Sequence, residues 1–231
     1  SGGDNTLLQL KGNLLQSGII TETSSGLPVV ELCGTTQQQI SVTGSIANSI
    51  SLRMNNSAGA ILQLPLILPY KLELVNGKFT STVTNLLTLL PACTIEADSL
   101  SNNSFINGPL RKEELAASPQ FLFPVGKDIS MRWLALKNAT GNFTVEYFKG
   151  DPRQLHDSCG TGIDHISALE YWSIEAAASS ASPELSFTDP NSGGVTDLST
   201  LRVAQLDNNI WIDAGNLAVT GTPGANGSVT G

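Results

Sequence analysis

Charged side chains are scarce in this chain: 12 Lys and Arg and 20 Asp and Glu make up only 14% of its 231 residues. Long helices draw on such residues for their exposed faces, and no window sustains apolar residues at i, i+3, i+4 and i+7, so a helical architecture is excluded. The few cations form no stripe, and with a net charge of −8 and a pI near 4.6 the chain lacks the clustered Lys and Arg that nucleic-acid phosphates require. Long hydrophobic runs are missing too. The longest, ILQLPLILPY over residues 61–70, is about half the length that spans a bilayer and is broken by proline. Neither a signal peptide nor a membrane anchor is read, and the chain is expected to be a mature or excised piece of something longer.

Cysteine and histidine are also sparse, with three and two copies. Cys33, Cys93 and Cys159 are an odd number, which excludes complete internal pairing, and no C-x-x-C or other metal-ligand spacing occurs. Cys33 and Cys93 read as buried single thiols. What is abundant instead is Ser, Thr, Asn, Gln and Gly around short apolar runs, the composition of strands and turns. The fold class is therefore all-β, and the length suffices for one or two domains.

Alternating apolar segments begin at Leu7 (LLQLKGN), Val29 (VVELCGT), Ile50 (ISLRMNN) and Leu72 (LELVNGK), spaced 22, 21 and 22 residues apart, with a shortened unit at Leu86 (LLTLLPA). The first three carry a second alternating segment: GIITET, QQISVT and AILQLP. A fixed period with short strands in every unit marks a solenoid. Ile, Val and Thr enrichment disfavours helix-bearing repeats, and the leucine-rich pattern lacks its asparagine position, so residues 1–104 are expected to form a short right-handed parallel β-helix of about four to five coils. Leu8, Leu10, Val30, Leu32, Leu52 and Leu74 would stack inward, while Gln9, Glu31, Arg53 and Glu73 would face water. At roughly 4.8 Å per coil, Cys33 and Cys93 would lie about 14 Å apart, beyond the roughly 7 Å reach of a disulfide.

From Phe105 onward the period is lost. Pro109, Pro119 and Pro124 punctuate residues 105–130, which read as a seam capping the solenoid; the competing reading is a loop in which Arg111, Lys112, Glu113 and Glu114 contact a partner. Over residues 131–231, strand-like segments such as RWLALKN, FTVEYFKG and IWIDAG alternate with turn signals such as NATGN and DPNSGG. That pattern predicts an antiparallel immunoglobulin-like β-sandwich in which Trp133, Trp172 and Trp211 serve as core. The chain stops at NGSVTG, where one more strand is expected, so the sandwich is read as lacking its last strand or receiving it from elsewhere.

Taken together, SFINGPLRK, FLFPVGK, FTVEYFKGDPR, GIDHISALEYWSIE and TDLSTLRVAQLDNNIWIDAGN resemble the C-terminal region of large surface proteins exported by the type IX secretion route of gliding bacteria and their relatives. The resemblance covers most of the chain. It implies a secreted or cell-surface protein whose modules support adhesion or act as spacers ahead of a sorting domain, which this chain does not include. It also implies that Ser99, in the Asp98–Leu100 triplet DSL, is an O-glycosylation acceptor. No catalytic residue is carried over.

The one segment with the residue types of nucleophilic catalysis is HDSCGTGIDH: His156, Asp157, Cys159, Asp164 and His165. A thiol nucleophile needs a base within hydrogen-bond reach and an oxyanion hole, and neither is legible. The segment reads instead as a Gly-rich loop, with His165 orienting the strand that follows. Solenoid enzymes that cleave polysaccharides cluster carboxylates and sugar-stacking aromatics, whereas Tyr70 and Phe79 are the only aromatics before Phe105 and Glu31, Glu73, Glu96 and Asp98 are scattered. Calcium is the single cofactor left open, with Asp189 in DPNSGG and Asp207 in LDNN as oxygen ligands, set against plain Asx turns.

The expectation is thus a non-enzymatic extracellular or cell-surface module, a stalk, adhesin or fibre component, with a glycan-binding or carbohydrate-active module as the alternative. Its partners would be other surface-protein modules, further copies of itself in oligomers or head-to-tail filaments, or glycans. Nucleic acid and membrane insertion are not expected.

Overall fold

A short run in which every second residue is Leu, Val or Ile buries one face only if something covers it, and here the cover is the next run of the same kind. The computed structural model describes residues 6–23, 25–116, 120–176 and 179–231. It is 54% strand and about 1% helix, and a β-solenoid of about 5 turns fills its first half. The first coil holds β1 (Leu7–Leu10), β2 (Leu14–Gln16) and β3 (Ile19–Ile20), and the second β4 (Val29–Leu32), β5 (Gln38–Val42) and β6 (Ser45–Ile46). The third holds β7 (Ser51–Asn55), β8 (Ala60–Leu62) and β9 (Leu66–Leu68). In the fourth, β10 (Lys71–Thr80) crosses two faces before β11 (Leu87–Leu89). The fifth holds β12 (Thr94–Ala97), β13 (Ser104–Asn107) and β14 (Leu110–Leu115). Pairing from coil to coil is parallel, with one face ordered β1-β4-β7-β10-β12 and another β2-β5-β8-β10-β13.

Inward rows set the register. Leu8, Val30, Leu52, Leu72 and Ile95 are aligned, as are Leu10, Leu32, Met54, Leu74 and Ala97. Two sequence expectations shift accordingly. Ser51 and Lys71, not Ile50 and Leu72, align with Leu7 and Val29, because the buried pair Leu52 and Leu72 decides the alignment. The segment at Leu86 starts no coil; Leu87–Leu89 is the last strand of the fourth, paired between β9 and β14.

The row Gln9, Glu31, Arg53, Glu73 and Glu96 departs further from expectation. It points away from the core, yet Glu31 and Glu73 are only 4% and 8% exposed, because long side chains one coil apart lie over one another. The charges alternate with bridging cations: Arg53 Nε meets Glu73 at 2.5 Å and its Nη1 lies 3.8 Å from Glu31, while Lys71 Nζ stands 3.4 Å from Glu73 and 2.8 Å from Glu96.

Corners between faces are stacked as well. Gln38 donates to the carbonyls of Leu10 and Gly12 and accepts from Gly34 N–H at 2.9 Å and Asn56 Nδ2 at 3.0 Å. Directly above, β10 turns its corner at Gly77 (φ +86°), where a Cβ would stand 1.7 Å from the Asn56 carbonyl oxygen; only glycine fits.

Parallel stacking continues past Phe105. After β15 (Phe121–Phe123), β16 (Val125–Lys127) pairs parallel with β13, and β17 (Ser130–Met131) turns back on β16. The 16-residue β18 (Leu134–Lys149) is antiparallel to both β14 and β15. Phe143, Val145 and Tyr147 on one face of β18 join the solenoid core, so the apolar interior is continuous from Leu14 to Tyr147. Pro109 stands just before β14, and the Pro124 carbonyl accepts the Ile106 N–H at 2.8 Å; Pro119 lies outside the described residues.

On the far edge of β18, β19 (Glu170–Ala176) and β20 (Ser180–Thr188) follow one another along its length, making a long antiparallel ribbon. β24 (Asn226–Thr230) is paired on both sides, with β20 and with β23 (Ala218–Gly221). β21 (Val203–Asp207) and β22 (Ile210–Gly215) form a separate hairpin.

Candidate functional site

The chemically suggestive residues fall in the connection between β18 and β19. Asp151 caps a short 3-10 turn, Pro152–Gln154, and the chain then loops to Glu170. Hydrogen bonds tie this loop to the hairpin: Trp211 N–H donates to Ser158 O at 2.9 Å, Gly160 N–H to Trp211 O at 2.8 Å, and Trp211 Nε1 to His156 O at 2.7 Å. His165 Nδ1 lies 2.9 Å from Asp164 Oδ2, and the two side chains are 85% and 98% exposed. His165 therefore engages its own neighbour and does not orient β19. No hydrogen bond joins Cys159 to either histidine among the described residues, and none of their His, Cys, Asp and Glu side chains gather in a metal-holding group of three.

The calcium candidates occupy separate turns. Both carboxylate oxygens of Asp189 accept backbone N–H groups, from Gly194 at 3.1 Å and Val195 at 2.5 Å, which closes the loop after β20. Asp207 ends β21 at the hairpin turn, where Asn208 and Asn209 take positive φ and Asn208 Nδ2 donates to Asp207 Oδ1 at 3.1 Å. Ser99 sits in a surface turn between β12 and β13; the neighbouring Leu100 is 93% exposed and donates its N–H to Asp98 Oδ1 at 2.9 Å.

Three buried polar groups escaped the sequence reading. Lys112 lies in strand β14, and its Nζ donates to the Leu90 and Pro91 carbonyls at 2.6 and 2.7 Å. Burial pushes its ammonium below the usual lysine range and pushes the nearby Cys93 thiol up to about 12. A buried Lys112 cannot belong to a partner-contacting loop. Its signal was present in sequence, since it shares the inward period-2 positions with Leu110. Arg132 and Glu170, paired at 3.0 Å, lie 38 residues apart and had no such signal.

Between the ribbon and the β21–β22 hairpin lies a cavity of about 1740 Å³. Trp172, Ile174, Pro183 and Leu185 line it from the ribbon, and Trp211 and Ile212 from the hairpin. Of the three tryptophans, Trp211 is buried, while Trp172 and Trp133 are half-buried, Trp172 donating Nε1 to the Arg132 carbonyl at 3.0 Å. Phe148 and Tyr171 stack at 4.9 Å and 8° on the same strand pair.

No family model, curated protein or solved structure matches the chain.

Proposed function

We propose that the chain is a non-enzymatic extracellular or cell-surface module, a stalk, adhesin or fibre component in which the solenoid serves as a stiff spacer. The observation that carries this reading is the use of ionisable groups along the stack. Glu31, Arg53, Glu73, Lys71 and Glu96 bridge successive coils, whereas Asp164 and His165 in the Cys159 segment are exposed and pair with each other. Such an arrangement favours mechanical continuity over chemistry. The likeness of the SFINGPLRK to TDLSTLRVAQLDNNIWIDAGN segments to surface proteins exported by the type IX route supports the same location. In this reading the second half is a variant of the immunoglobulin-like sandwich, for which its short antiparallel strands and Asx-rich turns speak.

One observation favours the second reading, a glycan-binding or carbohydrate-active module: the stacked, half-buried rings of Phe148 and Tyr171 offer a flat apolar surface. A glycan array and a polysaccharide activity screen separate the two. Absence of both signals is expected; saturable carbohydrate-specific binding, or release of reducing ends, would replace the first reading with the second.

A further inference from the structure

We infer that the cavity between the ribbon and the hairpin is a binding site for an elongated amphiphile, apolar along most of its length and ending in an uncharged or cationic polar group. Its volume, about 1740 Å³, exceeds the roughly 300–1,000 Å³ of pockets that hold drug-sized molecules. Two walls are apolar: Trp172, Ile174 and Leu185 from the ribbon face Trp211 and Ile212 from the hairpin. Apolar side chains that line a cavity lack dispersion partners on that side. An apolar chain supplies the missing contacts.

The polar lining selects the end group. Asp157, Asp164, Asp197 and Asp213 lie around the cavity against Arg153 and Arg202. Both arginines are already paired, Arg153 with Asp151 at 2.6 Å and Arg202 with Asp213 at 3.2 Å. Neither is free to receive an anion, and the net charge of −8 acts against one at longer range.

The test is a fluorescence titration with N-phenyl-1-naphthylamine, a neutral apolar probe. Saturable enhancement is expected, with quenching of tryptophan emission, because Trp172 and Trp211 lie in the wall. The anionic 1-anilino-8-naphthalenesulfonate should bind more weakly. Ile174→Asp on one wall and Ile212→Asp on the other should each weaken binding about tenfold or more, since each sets a carboxylate where the apolar part of the ligand would lie. Leu100→Asp, at a position 93% exposed and outside the lining, should leave it unchanged. Near-UV circular dichroism identifies variants that stay folded. No saturable response in the parent, binding without tryptophan quenching, unchanged affinity in a folded wall variant, or tighter binding of the sulfonate each overturns the proposal.

Discussion

Arg132 Nε donates to Glu170 Oε2 at 3.0 Å, and the two side chains are 2% and 3% exposed. The same carboxylate oxygen accepts Tyr147 Oη at 2.8 Å, and Arg132 Nη1 donates to the Met131 carbonyl at 2.9 Å. Burial pushes the Glu170 carboxyl up, and its hydrogen bonds to Ser192 and Tyr147 and the Arg132 charge pull it back. The pair joins the entry of β18 to the start of β19, so it fixes how the ribbon leaves the solenoid.

Removing one partner strands the other charge in the interior. Arg132→Met is expected to destabilise the chain by about 3–5 kcal/mol. Glu170→Gln should cost less, because an amide oxygen still accepts from Arg132 and Tyr147. Urea denaturation followed by tryptophan fluorescence measures both; equal effects of the two substitutions would show that the charge, and not the retained hydrogen bonds, carries the pair's contribution.

A second expectation concerns acid. Gln9 Nε2 donates to Glu31 Oε2 at 2.7 Å and Asn55 Nδ2 to Oε1 at 3.0 Å, and these bonds, Gln9's foremost, hold the carboxyl below its usual value of 4.5. A carboxylate whose folded pKa is depressed adds stability that is fully present above its unfolded value and disappears as the pH falls through its folded value. The urea midpoint should therefore decline below about pH 4.5, and Glu31→Gln should make that decline shallower. Parallel pH profiles of parent and variant would count against the ladder as a source of stability.

These side chains mark where sequence reasoning reached its limit. The inward residues were legible because a period near 22 brings Val30, Leu52 and their neighbours onto one row, and alternation placed Phe143, Val145 and Tyr147 on one face of β18. Burial of Glu31 and Glu73 was not legible, since it arises from neighbours one coil away whose register is set by the inward rows. The path beyond Phe105 was obscured for a related reason. β13 and β16 still stack parallel, but the antiparallel strands β17 and β18 interrupt the coil and erase the period. The cavity depends on a hairpin and a ribbon from distant segments, and no local pattern encodes their separation.

Thiol chemistry should separate the three cysteines, all of which are free. Burial pushes the Cys93 thiol up to about 12, only partly offset by the Lys112 charge, so at pH 8 it carries almost no thiolate. Iodoacetamide should leave Cys93 unmodified in the folded chain while the half-buried Cys33 and Cys159 react, and all three should react in urea. Peptide mass spectrometry reads the positions directly. Labelling of Cys93 at the same rate with and without urea would mean that the coil around it opens readily.

The two ends of the solenoid differ in a way that bears on self-association. At the first coil, β1, β2 and β3 each have one paired neighbour among the described residues, and Leu7, Leu8, Leu15 and Ile19 are 47%, 50%, 72% and 68% exposed. At the other end β16 and β18 continue two of the faces, with β17 and β18 running antiparallel where the coil of a second copy would have to stack. Head-to-tail growth meets that obstruction, whereas two first coils can meet about a two-fold axis, pairing apolar rows and open strand edges in a contact that closes on itself. The expected species is a reversible dimer, not a filament, and Leu8→Asp with Leu15→Lys, at side chains at least half exposed, should return it to a monomer. Sedimentation velocity over a wide concentration range decides the matter: a parent that stays monomeric at high concentration, or that grows without limit, contradicts the two-fold contact.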